Sequence, residues 1–117
     1  MILENSDERC SLARQVRCCE QRWFQETREQ ATAGDLASML LAAEMLCHSY
    51  GCSHSRYERF REALHFLRLY LVRRYGTANL LQLEVLAQSG APADETLPRA
   101  LFLYRQARIE LAGLETP

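Results

Sequence analysis

The sequence predicts an all-α fold, about five helices in a compact antiparallel helical bundle that forms a single domain over residues 1–117. Three observations carry this. Five glycines, at positions 34, 51, 76, 90 and 113, each follow a run of helical periodicity, where a helix uses glycine to turn left-handed and stop. No stretch alternates apolar and polar residues with the period of two that a half-buried strand requires. Within Tyr57 to Tyr75, the residues Tyr57, Phe60, Leu64, Leu67 and Leu71 fall at i, i+3, i+7, i+10 and i+14, one stripe of a helical period.

The first helix is expected to begin after Asn5 or Ser6, either of which can cap free backbone N–H groups, with Asp7 and Glu8 in a first turn whose dipole favours negative charge. It runs to about Ala33. Leu12, Val16, Cys19 and Trp23 form a narrow apolar stripe, while Arg14, Arg17, Glu20, Arg22, Glu26, Arg28 and Glu29 cover the other faces, so this helix should be long and half-exposed. The second extends from Asp35, its N-cap, to Tyr50, with Leu36, Met39, Leu40, Ala43, Leu46, Cys47 and Tyr50 in one broad stripe. Leu41 and Met45 lie on its back beside Ala37, Glu44 and His48, so the helix is either buried on two sides or offers a surface to a partner.

After the loop GCSHS, Ser55 and Glu58 have the S-x-x-E spacing of a capping box, in which hydroxyl and carboxylate each satisfy a free N–H. The helix they open also carries Phe66, Leu69, Tyr70 and Val72, which widen its apolar face and predict neighbours on more than one side; it should be the central helix. Gly76 ends it. Thr77 can cap a short fourth helix bearing Leu80, Leu81, Leu83, Val85 and Leu86 as far as Gly90. APADE reads as a loop. Thr96 or Asp94 then caps a fifth helix, with Pro98 tolerated in its first turn and Ala100, Tyr104, Ala107 and Leu111 on one face beside Leu97 and Leu101.

Composition excludes several chemistries. All 14 basic residues are arginine, a bias that a GC-rich bacterial genome produces and that selection against lysine modification would also produce. Without lysine there is no Schiff base, no lysine general base and no P-loop lysine. The net charge of −1 lacks the basic excess of a phosphate-binding surface, which argues against nucleic acid as a partner. The acidic start MILENSDERC is unlike an export signal, and no apolar run reaches the 18 or so residues of a membrane span, so a cytoplasmic protein without a membrane partner is expected. Five cysteines, an odd number, then read as reduced thiols.

Two short-loop hairpins are marked, 35–75 and 77–113. In the first, Gly51 precedes Ala63 by twelve residues and Leu67 follows four later; in the second, Ala100, Tyr104 and Ala107 read A-x-x-x-Y-x-x-A. This small–small–large pattern resembles the tetratricopeptide family, although Gly90 precedes Ala100 by only ten residues and the family's tryptophan, first-helix tyrosine and closing proline are not matched. The resemblance implies a binding module that holds peptides or partner helices in a groove, as small chaperones of bacterial secretion systems do.

Cys47, His48, Cys52 and His54 crowd into eight residues and offer the sulfur and imidazole ligands that zinc accepts, in a spacing unlike the tight C-x2-C knuckle. Core packing accounts for Cys47 equally well, and no cofactor or metal is expected. Arg59 and His65 resemble the R-x(4–6)-H of HEPN-type helical ribonucleases, whose arginine and histidine act on an RNA 2′-hydroxyl. They stand about 240° apart around one helix, whereas Arg61 and His65, at i and i+4, share a face but are too close in sequence for that motif. No nucleophile elbow, dinucleotide glycine loop or paired-His helix motif is present.

The expected function is therefore non-enzymatic: an adaptor or chaperone-like subunit that binds a partner helix, or a second copy of itself, through an apolar helical face. Leu41, Met45, Leu69, Val72, Leu80, Leu81, Leu103 and Leu114 are apolar positions beyond one stripe per helix and are the expected partner-binding residues. A HEPN-like ribonuclease and a small zinc-stabilised domain are the alternatives.

Overall fold

The computed structural model describes residues 2–89 and 95–115, with side chains from Ser11 onward. Among them are five helices and no strand: α1 (Ile2–Thr32), α2 (Leu36–Cys47), α3 (Arg56–Tyr75), α4 (Leu80–Gln88) and α5 (Thr96–Glu115). The all-α bundle is as the periodicity requires. Gly90 and the APAD part of the expected loop lie outside the described residues.

The local signals that depend on neighbouring residues mostly hold. Asp35 caps α2 by accepting from Ser38 N at 3.0 Å, and Ser55 caps α3 by accepting from Glu58 N at 3.3 Å. Gly34, Gly51 and Gly76 all take positive φ. Four boundaries differ. α1 starts at Ile2, so Asn5 and Ser6 lie inside it and not before its first turn. α2 stops at Cys47, and the chain turns through Ser49, at φ 59°, before reaching Tyr50. Asn79 caps α4, accepting from Gln82 N at 3.1 Å, because Thr77 spends its hydroxyl on Asn79 N and on the Gln82 side chain. Thr96 is the first residue of α5 and not its cap, and Gly113 continues that helix.

The centre of the molecule is shared between two helices. α3 buries Phe60, Leu64, Leu67 and Leu71, the expected stripe, together with Ala63, Phe66 and Tyr70, and packs on α2 and α5. Tyr57 at the head of that stripe is exposed. α2 is the middle layer: 8 of its 12 residues are buried, and it meets α1, α3 and α5. This decides the ambiguity at its back face, for Met45 is buried and Leu41 half-buried against the core. α5 completes the core with Leu97, Ala100, Leu101, Leu103, Tyr104 and Ala107, and the Tyr104 hydroxyl donates to the Ala78 carbonyl at 3.0 Å, tying the start of α4 to it.

Of the α1 residues whose side chains are described, those of the C-terminal half belong to this bundle. Among them Phe24, Thr27 and Ala31 are buried, and every residue from Ser11 to Cys19 is exposed. A 31-residue helix is about 46 Å long, so the unpacked turns reach well past the other helices and account for the 62 Å long axis of a molecule 39 and 25 Å across.

Candidate functional site

The bare half of α1 is one candidate. Phe24, Thr27 and Ala31 point at α2, whereas Leu12, Val16, Cys19 and Trp23 lie about 80° further round the helix, at 100° per residue. The stripe expected to pack inward therefore faces solvent: Leu12 is 60% exposed, Val16 55% and Trp23 48%. Its spacing is that of a heptad seam, with apolar residues at alternating intervals of four and three.

The end of the seam is firmly anchored. Trp23 meets the Tyr50 ring edge-on, with centroids 5.4 Å apart, and its carbonyl accepts from the Thr27 hydroxyl at 2.8 Å. The loop after α2 closes on α1 at Gly51, where a Cβ would lie 2.3 Å from the Glu20 carbonyl oxygen. No other residue fits there, so Gly51 sets the distance between loop and helix. Arg28 forms an ion pair with Glu62 on the opposite flank.

The other candidate is a groove of about 640 Å³ between α1 and α3, lined by Arg28, Thr32, His54, Glu58, Arg61, Glu62, His65, Phe66 and Leu69. Arg61 and His65 thus share one wall, as their i, i+4 spacing requires. Arg59 does not join them. It lies with its guanidinium carbon 5.2 Å from the Phe60 ring centroid, and its Nε has no hydrogen-bond partner among the described residues. His54 also borders a second groove with Cys52, whose Sγ is 2.8 Å from His54 Nδ1.

The four suggested zinc ligands do not come together. Cys47 faces the core, and burial pushes its thiol up to about 11, with Arg59 pulling it down and Glu44 adding a small further rise. Cys52 and His54 pair in the loop, and among the described residues no three His, Cys, Asp or Glu side chains are placed to hold a metal ion. Cys18 and Cys19 are exposed on α1.

The expected partner-binding residues are scattered. Met45 and Leu103 are sealed in the core because their helices are covered on several sides, so neither is available on the protomer surface. Leu41, Leu69 and Leu80 are half-buried against the core, with Leu41 and Leu69 in different grooves. Val72, Leu81 and Leu114 are exposed, Leu81 at 74%. The reading from sequence missed the exposure of the α1 stripe, and also of Val85, Leu86, Phe102 and Ile109. One signal for α1 was present: the seam ends at Trp23, with Glu26 and Gln30 in the next two positions, exactly where Phe24, Thr27 and Ala31 begin a different face.

No family model, no curated protein and no solved structure gives a significant match to the chain.

Proposed function

We propose that the chain is a non-enzymatic protein–protein interaction module, an adaptor or chaperone-like subunit, that docks a helix on the bare apolar face of α1. The observation that carries this is the exposure of Leu12, Val16 and Trp23 in heptad spacing, the first two on turns where every residue from Ser11 to Cys19 is exposed. Helical turns without tertiary contact are marginal in water, so these depend on a partner for much of their stability. Removing the exposed parts of the three side chains from water contributes about 1 kcal/mol each. The free thiols of Cys18, Cys19, Cys47 and Cys52 fit a cytoplasmic setting, and among the described residues no helix is long and apolar enough to cross a membrane.

The test is a Leu12→Asp/Val16→Asp double variant beside the wild type. Light scattering after size-exclusion chromatography reads association, and a hydrophobic fluorescent dye reads uncovered apolar surface. The wild type is expected to associate or to bind dye and the variant to do neither; at dilutions where both are monomers the two should share one urea midpoint because both side chains lie outside the core, and association should raise the wild-type midpoint with concentration. A wild-type monomer that binds no dye would sink the reading.

A second reading, a HEPN-like ribonuclease, draws on the α1/α3 groove, where Arg61 would hold a phosphate and His65 would take the 2′-hydroxyl proton. Cleavage of mixed RNA by the wild type and not by His65→Ala is the expected result; no cleavage, or equal cleavage, disposes of it.

A further inference from the structure

The loop after α2 holds a nucleophile beside a base. Cys52 Sγ lies 2.8 Å from His54 Nδ1, and both side chains border a groove of about 370 Å³ between this loop and α1. We propose that Cys52 is a thiol–disulfide exchange site, with His54 as its base, for a small disulfide whose substituents carry carboxylates. The site stands apart from the exposed stripe on α1 and does not depend on it.

Three contacts hold the pair in place. Gly51, at φ 64°, seats the loop on α1 so closely that a Cβ would lie 2.3 Å from the Glu20 carbonyl oxygen, which fixes the backbone one residue before Cys52. Cys52 itself is half-buried against the core, and this limits the directions its sulfur can take. The His54 ring meets the buried Phe24 ring at 62°, with centroids 6.3 Å apart. Nucleophile, base and a third group that orients the base are thus set by the fold, the arrangement that activates a weak nucleophile. In the tautomer with its proton on Nε2, His54 accepts from the thiol.

Exchange needs no further reagent. His54 Nδ1 takes the thiol proton as the Cys52 sulfur attacks one sulfur of the small disulfide, and a new S–S bond to Cys52 forms while the old one breaks. The departing thiolate takes the proton back from the imidazolium and leaves as a thiol. One disulfide replaces another, so no outside oxidant or reductant is consumed.

The groove selects the partner. At about 370 Å³ it is near the lower end of the roughly 300–1,000 Å³ of small-molecule sites, so it suits a small molecule. Among the described residues that line it, Arg28 carries the one permanent charge, while Gln21, Gln25 and Ser53 add neutral donors and acceptors. Arg28 gives its Nε to Glu62, and the rest of its fork of N–H donors remains for a second carboxylate.

The probe is glutathione disulfide, which carries carboxylates and amides. Reduced protein is mixed with it and quenched in acid at intervals, and the modified cysteines are located by peptide mass and fragmentation. Cys52 is expected to take the adduct at least about tenfold faster than Cys18 or Cys19, the exposed thiols of α1. His54→Asn keeps a polar side chain without the base; it should bring Cys52 down to the rate of those two, with an unchanged circular dichroism spectrum because His54 is exposed. Cys52 reacting no faster than Cys18 and Cys19, or equally fast in His54→Asn, overturns the exchange site. Cystamine, a disulfide with amines in place of carboxylates, should show a smaller ratio of Cys52 to Cys18 and Cys19 modification. An equal or larger ratio overturns the assignment of the groove to a carboxylated partner.

Discussion

Cys47 shows how one buried side chain couples to pH. Its thiol is 7% exposed, and burial raises it from the ordinary 9.0 to about 11. Below pH 9 the group is neutral in the folded and the unfolded chain and contributes no pH dependence. Between 9 and 11 the unfolded chain releases the proton while the folded chain keeps it, so stability falls as pH rises through that window. Urea midpoints should therefore decline from pH 9 towards 11, and Cys47→Ala should flatten that part of the decline. At pH 8 an alkylating reagent should modify Cys18, Cys19 and Cys52 well before Cys47, since the thiolate is the nucleophile and access is needed as well. The histidine pairing was also legible at this scale: helical spacing alone separated Arg59 from His65 and joined Arg61 to it. The role of Gly51 was not, because it depends on a carbonyl of Glu20, 31 positions away in a helix whose approach to the loop no local pattern encodes.

Among the helices, α4 is the least secured. Leu83 is its one buried residue among nine, while Leu81, Val85 and Leu86 are exposed. A helix this short does not persist without tertiary support. Leu83→Ala should cost about 2–3 kcal/mol, and hydrogen exchange should show it first: the α4 amides lose protection while those of α3, held by Phe60, Leu64, Leu67 and Leu71, keep theirs. The apolar stripes of α2, α3 and α5 were all readable from periodicity. On α1 the same reasoning identified a stripe and placed it on the wrong side, since Leu12 to Trp23 faces solvent and the buried residues are Phe24, Thr27 and Ala31.

At the scale of the molecule, ion pairs join different helices, among them Arg28 to Glu62, Arg56 to Glu110, Arg99 to Glu44, and Arg105 to Glu84 at 2.6 Å. The hydrogen bonds that Arg99 donates to the Glu44 carboxylate hold its guanidinium still more firmly protonated than usual. All four are at the surface, where such pairs are worth at most about 1 kcal/mol. They favour one arrangement of neighbours more than they stabilise it, and salt screens them. The α1 seam is apolar, so the association read by light scattering should persist at 1 M NaCl, where a contact made of exposed charges would weaken. That difference separates docking on Leu12, Val16 and Trp23 from adhesion between the mixed charges around them.

By itself the sequence determined the class of fold, the number of helices, the caps Asp35 and Ser55, and the core stripe of α3. Each of these is settled by residues within four or five positions of one another, through the helical period or a side chain reaching the nearest free N–H. Tertiary structure alone decided which stripes would be covered. The period places apolar residues on one side of a helix, but whether that side is dry depends on what packs opposite, and from Ser11 to Cys19 of α1 no described residue does.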